Sequence, residues 1–243
     1  MTYCVGLRLN KGLVFMSDTR TNSGVDNIST FRKMFTWSKP GERVITMLTS
    51  GNLATTQSVV SLIDERTKAP AERNPSVLEA PTMFQVARQV GEMLREVIQE
   101  NAESGERADS TFNATIILGG QIAESEPRLF LIYPEGNFIE ASNDTPFFQV
   151  GETKYGRPIL LRAYDADMSF EAAIKYLMVS FDSTLKANLS VGLPLDMQVY
   201  ERDTYEVGEE RRIGADDPYY QSISTGWGEA LKDALQALPN FKF

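Results

Sequence analysis

Histidine is absent from all 243 residues, and cysteine occurs once, at Cys4. Without an imidazole, every Ser-His or Cys-His arrangement for nucleophilic catalysis is excluded, and a hydroxyl nucleophile must find another base. The same absence speaks against a zinc site, so no metal and no other cofactor is expected. One cysteine permits no internal disulfide, and nothing points to an oxidising compartment. Long apolar runs are missing as well: no stretch approaches the ~18 residues of a membrane helix, and no basic segment leads into an apolar one at the start. A cytoplasmic location is the expectation.

Positive charge is also in short supply. Lysine and arginine number 24 against 33 acidic residues, for a formal net charge of −9. This balance argues against nucleic acid or an anionic membrane surface as a partner. With 42% hydrophobic residues the chain can bury a large core, and its length suits one domain, less readable beyond about residue 203.

What is present is a threonine directly behind the first methionine. Initiator methionine is usually trimmed before a small residue, so a mature chain can begin at Thr2, with a free α-amine beside a hydroxyl. Such an amine titrates near ~8 and can act as general base at neutral pH. Many proteins begin with Met and a small polar residue for no chemical reason, so Thr2 draws its weight from its neighbours in space. Cys4, flanked by alternating residues that suit a buried strand, reads as a small core residue rather than a nucleophile.

Tyr3 to Leu9 and Leu13 to Ser17 read as a hairpin across Asn10-Lys11-Gly12, which puts Thr2 at the start of the first strand and Asp18 just beyond the second. Arg43 to Ser50 is a further strand, closed by Ser50-Gly51-Asn52 before a helix over Leu53 to Lys68. A strand that ends at glycine and enters a helix leaves backbone N–H groups able to bind an anion. Pro70 to Pro81 reads as a loop. Thr82 and Gln85 then have capping-box form ahead of a helix whose apolar face is Met83, Val86, Ala87, Val90, Leu94, Val97 and Ile98. Asn101 to Asp109 is expected to be an exposed connection. Strands follow at Ala114 to Leu118, Leu129 to Tyr133, Phe138 to Ala141 and Phe147 to Val150. Ser169 caps a helix with Phe170, Ala173, Ile174, Leu177 and Phe181 on its buried stripe. A final strand is predicted over Asp196 to Arg202, and Trp227 to Leu238 suits a last helix. Sheets in the middle with helices outside fit this order.

Three positions give Thr2 its context. Asp18 falls at a strand end, where an acid can orient a cation. Lys33, in the next strand-like segment, can favour a deprotonated hydroxyl at Thr2 through its charge. Gly51 can present its N–H to a tetrahedral oxyanion. The plainer alternative stays open: Asp18 caps a turn, Lys33 is a surface charge, and Gly51 is an ordinary strand-to-helix glycine.

The set of Thr2, Gly6, Gly12, Ser17-Asp18-Thr19-Arg20, Lys33 and Ser50-Gly51-Asn52 resembles the proteasome β subunits of the N-terminal nucleophile hydrolases, over the first ~55 residues. Met1-Thr2-Tyr3-Cys4-Val5-Gly6, Asp18-Thr19-Arg20-Thr21-Asn22, Asp26 to Lys33 and Gly151-Glu152-Thr153-Lys154-Tyr155-Gly156 resemble more closely the bacterial Anbu, or ancestral β subunit, family. The resemblance implies an α+β fold, a four-layer αββα sandwich. It implies Thr2 as nucleophile, Asp18 and Lys33 as its charge partners, and Gly51 as oxyanion donor. It also implies self-association into a ring or a spiral, and a peptide or small amide as substrate. An ATPase partner is left open.

Two stretches depart from the proteasome pattern. Gly151-Glu152-Thr153 stands where active subunits carry Gly-Ser-Gly, and Ala187-Asn188-Leu189-Ser190 has alanine in place of an acid. Ser190 remains as a partner for the terminal amine, and Glu152 or Asp182 is the candidate to replace the acid. A protein of the same fold with an assembly role and little proteolysis is the competing expectation.

Overall fold

The computed structural model of the chain describes residues 1–22, 28–68, 76–103 and 112–243. β1 (Tyr3–Leu9) and β2 (Gly12–Asp18) form the hairpin read from the sequence. Asp18 is the last residue of β2 rather than the first beyond it. The cause is β11 (Leu195–Glu201), which pairs along the other side of β2 and carries the ladder out to Leu195 opposite Asp18. With β10 (Phe147–Gly151) and β12 (Glu210–Ile213) these make a five-stranded sheet in the order β10-β1-β2-β11-β12.

A second five-stranded sheet runs β5 (Met34–Lys39), β6 (Arg43–Gly51), β7 (Ala114–Ile122), β8 (Arg128–Ile132) and β9 (Phe138–Glu140). Between the two sheets in sequence, β3 (Arg20–Asn22) and β4 (Ile28–Thr30) form a short ladder of their own. Lys33 belongs to no strand. It lies in the connection from β4 to β5, where its carbonyl accepts from the Thr49 N–H at 2.9 Å.

The helices are α1 (Leu53–Lys68), α2 (Met83–Glu103), α3 (Arg157–Ala163), α4 (Phe170–Ala187) and α5 (Pro218–Gln236). Strand side chains alternate between faces, and here both faces of each sheet are buried. From β1 and β2, Val5, Leu7, Val14 and Met16 pack against Leu160 of α3, Leu177 and Phe181 of α4, and Tyr220 of α5. Their alternates Cys4, Leu13 and Phe15 meet Leu48, Ile117 and Leu129 of the second sheet. Ile45, Met47, Ile116 and Leu118 face outward onto α1 and α2. Three apolar layers therefore separate four layers of backbone, and the fold is an αββα sandwich. Each large apolar side chain closed between layers contributes about 1.5–3 kcal/mol.

The helix starts follow their caps. Thr82 Oγ1 accepts from the Gln85 N–H at 3.2 Å, Ser169 Oγ from Ala172 at 3.1 Å, and Asp217 Oδ1 from Tyr220 at 3.0 Å. α2 runs to Glu103, so Asn101 to Glu103 are helix and not connection. Residues 104–109 of that expected connection and 70–75 of the expected proline-rich loop lie outside the described residues. Residues 76–82 are turns and bends. Asp196 to Arg202 is not the last strand, because β12 follows it. α5 begins at Pro218, nine residues before the predicted start, because its first turn is set by the Asp217 cap and a proline in the first turn, not by apolar spacing.

Candidate active site

The site forms where the start of β1 meets the ends of β2 and β6. The β1–β2 register sets Cys4 opposite Ser17, and the next N–H along, that of Tyr3, donates to Asp18 Oδ1 at 2.9 Å. Lys33 Nζ reaches the same oxygen at 2.7 Å and donates to the Arg20 carbonyl at 2.7 Å. The other carboxylate oxygen of Asp18 accepts from the Gly192 N–H at 3.4 Å. One aspartate thus ties the first hairpin, the β4–β5 connection and the α4–β11 loop together. Burial pushes the Asp18 carboxyl up from its ordinary range, while the Lys33 charge and the N–H donors of Tyr3 and Gly192 act in the opposite direction.

A groove of about 600 Å3 opens above this pair, lined by Thr2, Thr21, Lys33, Gly51, Asn52 and Gly151 among others. Thr2 is 8% exposed at its floor. Met1 reaches outward with 60% of its surface exposed. Its amine has a pKa lowered by burial first and by the Lys33 charge second, with Asp18 opposing. An ammonium in this position gives up its proton more readily than one in water.

Two glycines shape the walls. Gly51 ends β6 at φ +115°, and a Cβ there would stand 2.4 Å from the Asn113 carbonyl oxygen. Gly151 ends β10 at φ +86°, and a Cβ there would come within 1.9 Å of the Thr2 carbonyl oxygen. Only glycine fits at either position. Next to Gly51, Asn52 caps α1: its Oδ1 accepts from the Thr55 N–H at 3.1 Å, and its own N–H donates to Asn113 at 3.0 Å. The positive end of the α1 dipole therefore faces the groove, and Leu53, Ala54 and Thr56 of its first turn line it.

Of the candidate acids, Glu152 comes to the site and Asp182 does not. The Glu152 N–H donates to the Thr2 carbonyl at 2.7 Å, and its carboxylate accepts from Asn188 Nδ2 at 2.9 Å. The Asp182 carboxylate instead accepts from the Tyr220 hydroxyl at 3.1 Å, on the side of α4 that meets α5. Ala187 is the last residue of α4 and is exposed. The Ser190 N–H donates to Asn188 Oδ1 at 2.9 Å, and Arg20 holds the same loop through the Leu189 carbonyl at 2.8 Å. Below Thr2, the Tyr3 hydroxyl sits between Ser180 Oγ at 2.7 Å and Gln149 Nε2 at 2.6 Å, and burial lifts its pKa to about 12.

The structure thus brings Thr2, Asp18, Lys33 and Gly51 to one groove, with Glu152 and Ser190 joined at its edge through Asn188. Thr21, Asn52, Asn188 and Gly192 join them without having been assigned a role from the sequence. Asn52 had a readable signal, an N-cap residue directly ahead of a helical run. Asn188 had none, because its partner Glu152 lies 36 residues away. Among the described residues no group of histidine, cysteine and acidic side chains is arranged to hold a metal ion.

Comparison with known proteins bears on the same residues. Residues 2–192 match the family model for the proteasome subunit. The chain is 46% identical to Anbu (ancestral beta-subunit) from Yersinia bercovieri, with a TM-score of 0.93 over 99% of each chain. It is 50% identical to Anbu from Hyphomicrobium sp. strain MC1, with a TM-score of 0.90 over 99% of this chain and 100% of that one. A third solved structure, a helical assembly of the Anbu complex from Pseudomonas aeruginosa, is 45% identical with a TM-score of 0.92, over 99% of this chain and 98% of that one. No curated protein matches the chain in sequence.

Proposed function

Because the chain belongs to the proteasome subunit family and, within it, to the Anbu proteins, we propose that it is an N-terminal threonine hydrolase that opens amide bonds with Thr2. The observation that carries this reading is the closed Lys33–Asp18 pair beneath Thr2, in a groove whose wall is Gly51. Peptides and small amides are both substrates of this chemistry. The protein acts as a homo-oligomer, ring or spiral, in the cytoplasm; among the described residues no helix is long and apolar enough to cross a membrane.

The reaction requires Met1 to leave, since the nitrogen of Thr2 is otherwise an amide and no base. The freed amine takes the proton of the Thr2 hydroxyl, directly or through water, as the oxygen bonds to the substrate carbonyl carbon. The resulting oxyanion faces the Gly51 N–H and the start of α1. One such donor is worth about 3 kcal/mol of barrier. The ammonium returns its proton to the leaving amine as the C–N bond breaks, which leaves an ester on Thr2. Water, deprotonated by the same amine, attacks that ester, and the acid departs as the proton returns to the Thr2 oxygen. Throughout, the Lys33 charge favours the anionic forms and Asp18 holds Lys33 in place.

A second reading, an assembly protein of this fold with little proteolysis, is favoured by one feature. Ala187 offers no acid, and the Glu152 carboxylate is already engaged by Asn188. Mass spectrometry for Met1 followed by labelling with an epoxyketone separates the two. A chain that begins at Thr2 and takes up the probe, with no uptake by Thr2→Ala, supports the hydrolase. Retained Met1 and no uptake support the scaffold.

A further inference from the structure

Tyr3, the residue directly behind Thr2, is held at both of its ends. Its backbone N–H donates to Asp18 Oδ1 at 2.9 Å, while its buried ring lies in the apolar layer beneath α3 and α4, 4.4 Å from the ring of Phe181. The hydroxyl at the far end belongs to a directed chain of hydrogen bonds. Ser180 Oγ donates to the Gly156 carbonyl at 3.1 Å, and a serine has one proton to give, so the phenol donates to Ser180 at 2.7 Å. The phenol oxygen in turn accepts from Gln149 Nε2 at 2.6 Å. With its pKa lifted to about 12 by burial, the phenol keeps its proton at neutral pH. The Gln149 Oε1 is buried and finds no partner among the described residues, so the bond to the phenol is what orients that amide. A polar chain inside an apolar layer, with one atom left unsatisfied, costs stability. Packing alone is served as well by phenylalanine.

The chain leads to the loop between β10 and α3, which closes over the start of β1. This loop meets two consecutive residues through glycines at its two ends. A Cβ on Gly151 would fall 1.9 Å from the Thr2 carbonyl oxygen, and a Cβ on Gly156 would fall 2.2 Å from the Tyr3 hydroxyl and 2.3 Å from Ser180 Oγ. Between them, the Glu152 N–H donates to the Thr2 carbonyl at 2.7 Å. Residues 152–156 belong to no helix or strand. Their shape therefore depends on what pins them, and the Gly156 end is pinned by the phenol and Ser180.

We propose that Tyr3 is a positioning residue for Thr2: through Ser180 and Gly156 its phenol fixes the 152–156 loop, and the loop, through the Glu152 N–H, fixes the backbone of Thr2 and the direction in which its hydroxyl and amine face the groove. The inference rests on the reading of Thr2 as nucleophile. The phenol lies below Thr2 and not among the residues that line the groove, so it acts through the backbone alone. Tyr3 thus serves the site twice. Its N–H steadies Asp18 from within β1, and its side chain steadies the loop that closes on Thr2 from outside.

Tyr3→Phe removes one oxygen and keeps the ring on Phe181, and Ser180→Ala removes the partner while leaving Tyr3 in place. On Met1-free chains, the saturating rate of labelling by an epoxyketone is expected to fall about tenfold in both, with the half-saturating concentration unchanged, because the groove stays and the nucleophile loses its alignment. Asp182→Asn, on the same helix but bonded to Tyr220, should lower stability and leave that rate alone, which separates lost alignment from a weakened fold. Amide hydrogen exchange gives a readout that needs no reaction: the amides from Glu152 to Gly156 should exchange at least about tenfold faster in Tyr3→Phe, with α4 protected as before. Unchanged exchange overturns the link from phenol to loop. Faster exchange with an unchanged labelling rate overturns the positioning role. A wild-type chain that takes up no probe removes the Thr2 reading and this inference together, whereas a wild-type chain that labels no faster than Tyr3→Phe removes this inference alone.

Discussion

Lys33 Nζ stands 2.7 Å from Asp18 Oδ1 with the lysine side chain 5% exposed and the aspartate 0%. An ion pair so closed to water is worth having only while both partners are present. Removing one leaves an uncompensated buried charge, which costs about 3–5 kcal/mol. Lys33→Met and Asp18→Asn are each expected to lose that much in urea unfolding. The double variant should lose less than the sum of the two, because residues in contact are not additive. Additive losses would mean that the pair does not act as a unit.

The pH dependence follows from the same lysine. Burial and the Lys33 charge both disfavour the cationic terminal amine of Met1, and Thr2, whose amine is freed once Met1 leaves, lines the same groove. In the proposed mechanism the neutral amine is the base, so turnover should rise with pH and level off with a midpoint below the ordinary value of ~8. Lys33→Met should move that midpoint upward. The lowered value also works on stability: the unfolded chain binds more protons here than the folded one, so folding gains as pH rises through the window between the two values and loses below it. A pH–rate profile of the Met1-free chain measures the midpoint directly.

Gly151→Ala should separate activity from folding. The added Cβ meets the Thr2 carbonyl at 1.9 Å in a backbone conformation that only glycine adopts freely. The backbone conformation alone costs about 1–3 kcal/mol, and the overlap forces the start of β1 to shift. The chain should still fold, and acylation by an epoxyketone should fall at least about a hundredfold, because the nucleophile is displaced. Unfolding curves and probe uptake on one preparation give both numbers.

Glu152 and Asp182 are distinguished by placement. Glu152→Gln keeps the shape and the backbone N–H to Thr2 but weakens the bond from Asn188 that holds the groove edge, and kcat is expected to fall by about tenfold as the placement of Thr2 loosens. Asp182→Asn should leave kcat unchanged and cost about 1 kcal/mol, since its partner is the Tyr220 hydroxyl that docks α5. Steady-state kinetics and thermal unfolding of the two variants test this assignment.

Cys4 should be inert in the native protein. It lies at 0% exposure in the layer between the sheets, and burial pushes its thiol well up from the ordinary range. Little thiolate is present at neutral pH, and little access exists. Ellman's reagent should detect no thiol before denaturant is added and one afterwards.

Strong local patterns were legible. The Asn10-Lys11-Gly12 turn set the first hairpin, the spacing of Val86, Val90, Leu94 and Val97 set α2, and Ser169 marked the start of α4. The bounds of α1 follow from Asn52 and the run behind it. Edges were less legible. β12, Glu210-Arg211-Arg212-Ile213, is charged and mostly exposed, so it has no apolar alternation and exists because β11 offers it a ladder. α3 is only seven residues long and buries one leucine, Leu160. Lys33 was read into a strand because β5 begins at the next residue. At the site, Thr2, Asp18 and Gly51 stand out because a turn and strand ends place them, and Lys33 through its charge and the family resemblance. The bond from Glu152 to Asn188 was invisible, as it depends on how β10 and α4 meet in space.

β1 lies inside its sheet, with β10 on one side and β2 on the other, and Tyr3 sits opposite Gly151. The last donor to Asp18, the Gly192 N–H, comes from later still. The surroundings of Thr2 therefore close only when residues as distant in sequence as Gly151 and Gly192 have come to it. A chain truncated before Gly192 keeps Thr2 and Gly151 but loses the Gly192 donor to Asp18 and all of β11, so the pocket beneath Thr2 is completed by long-range closure and not by the hairpin that carries it.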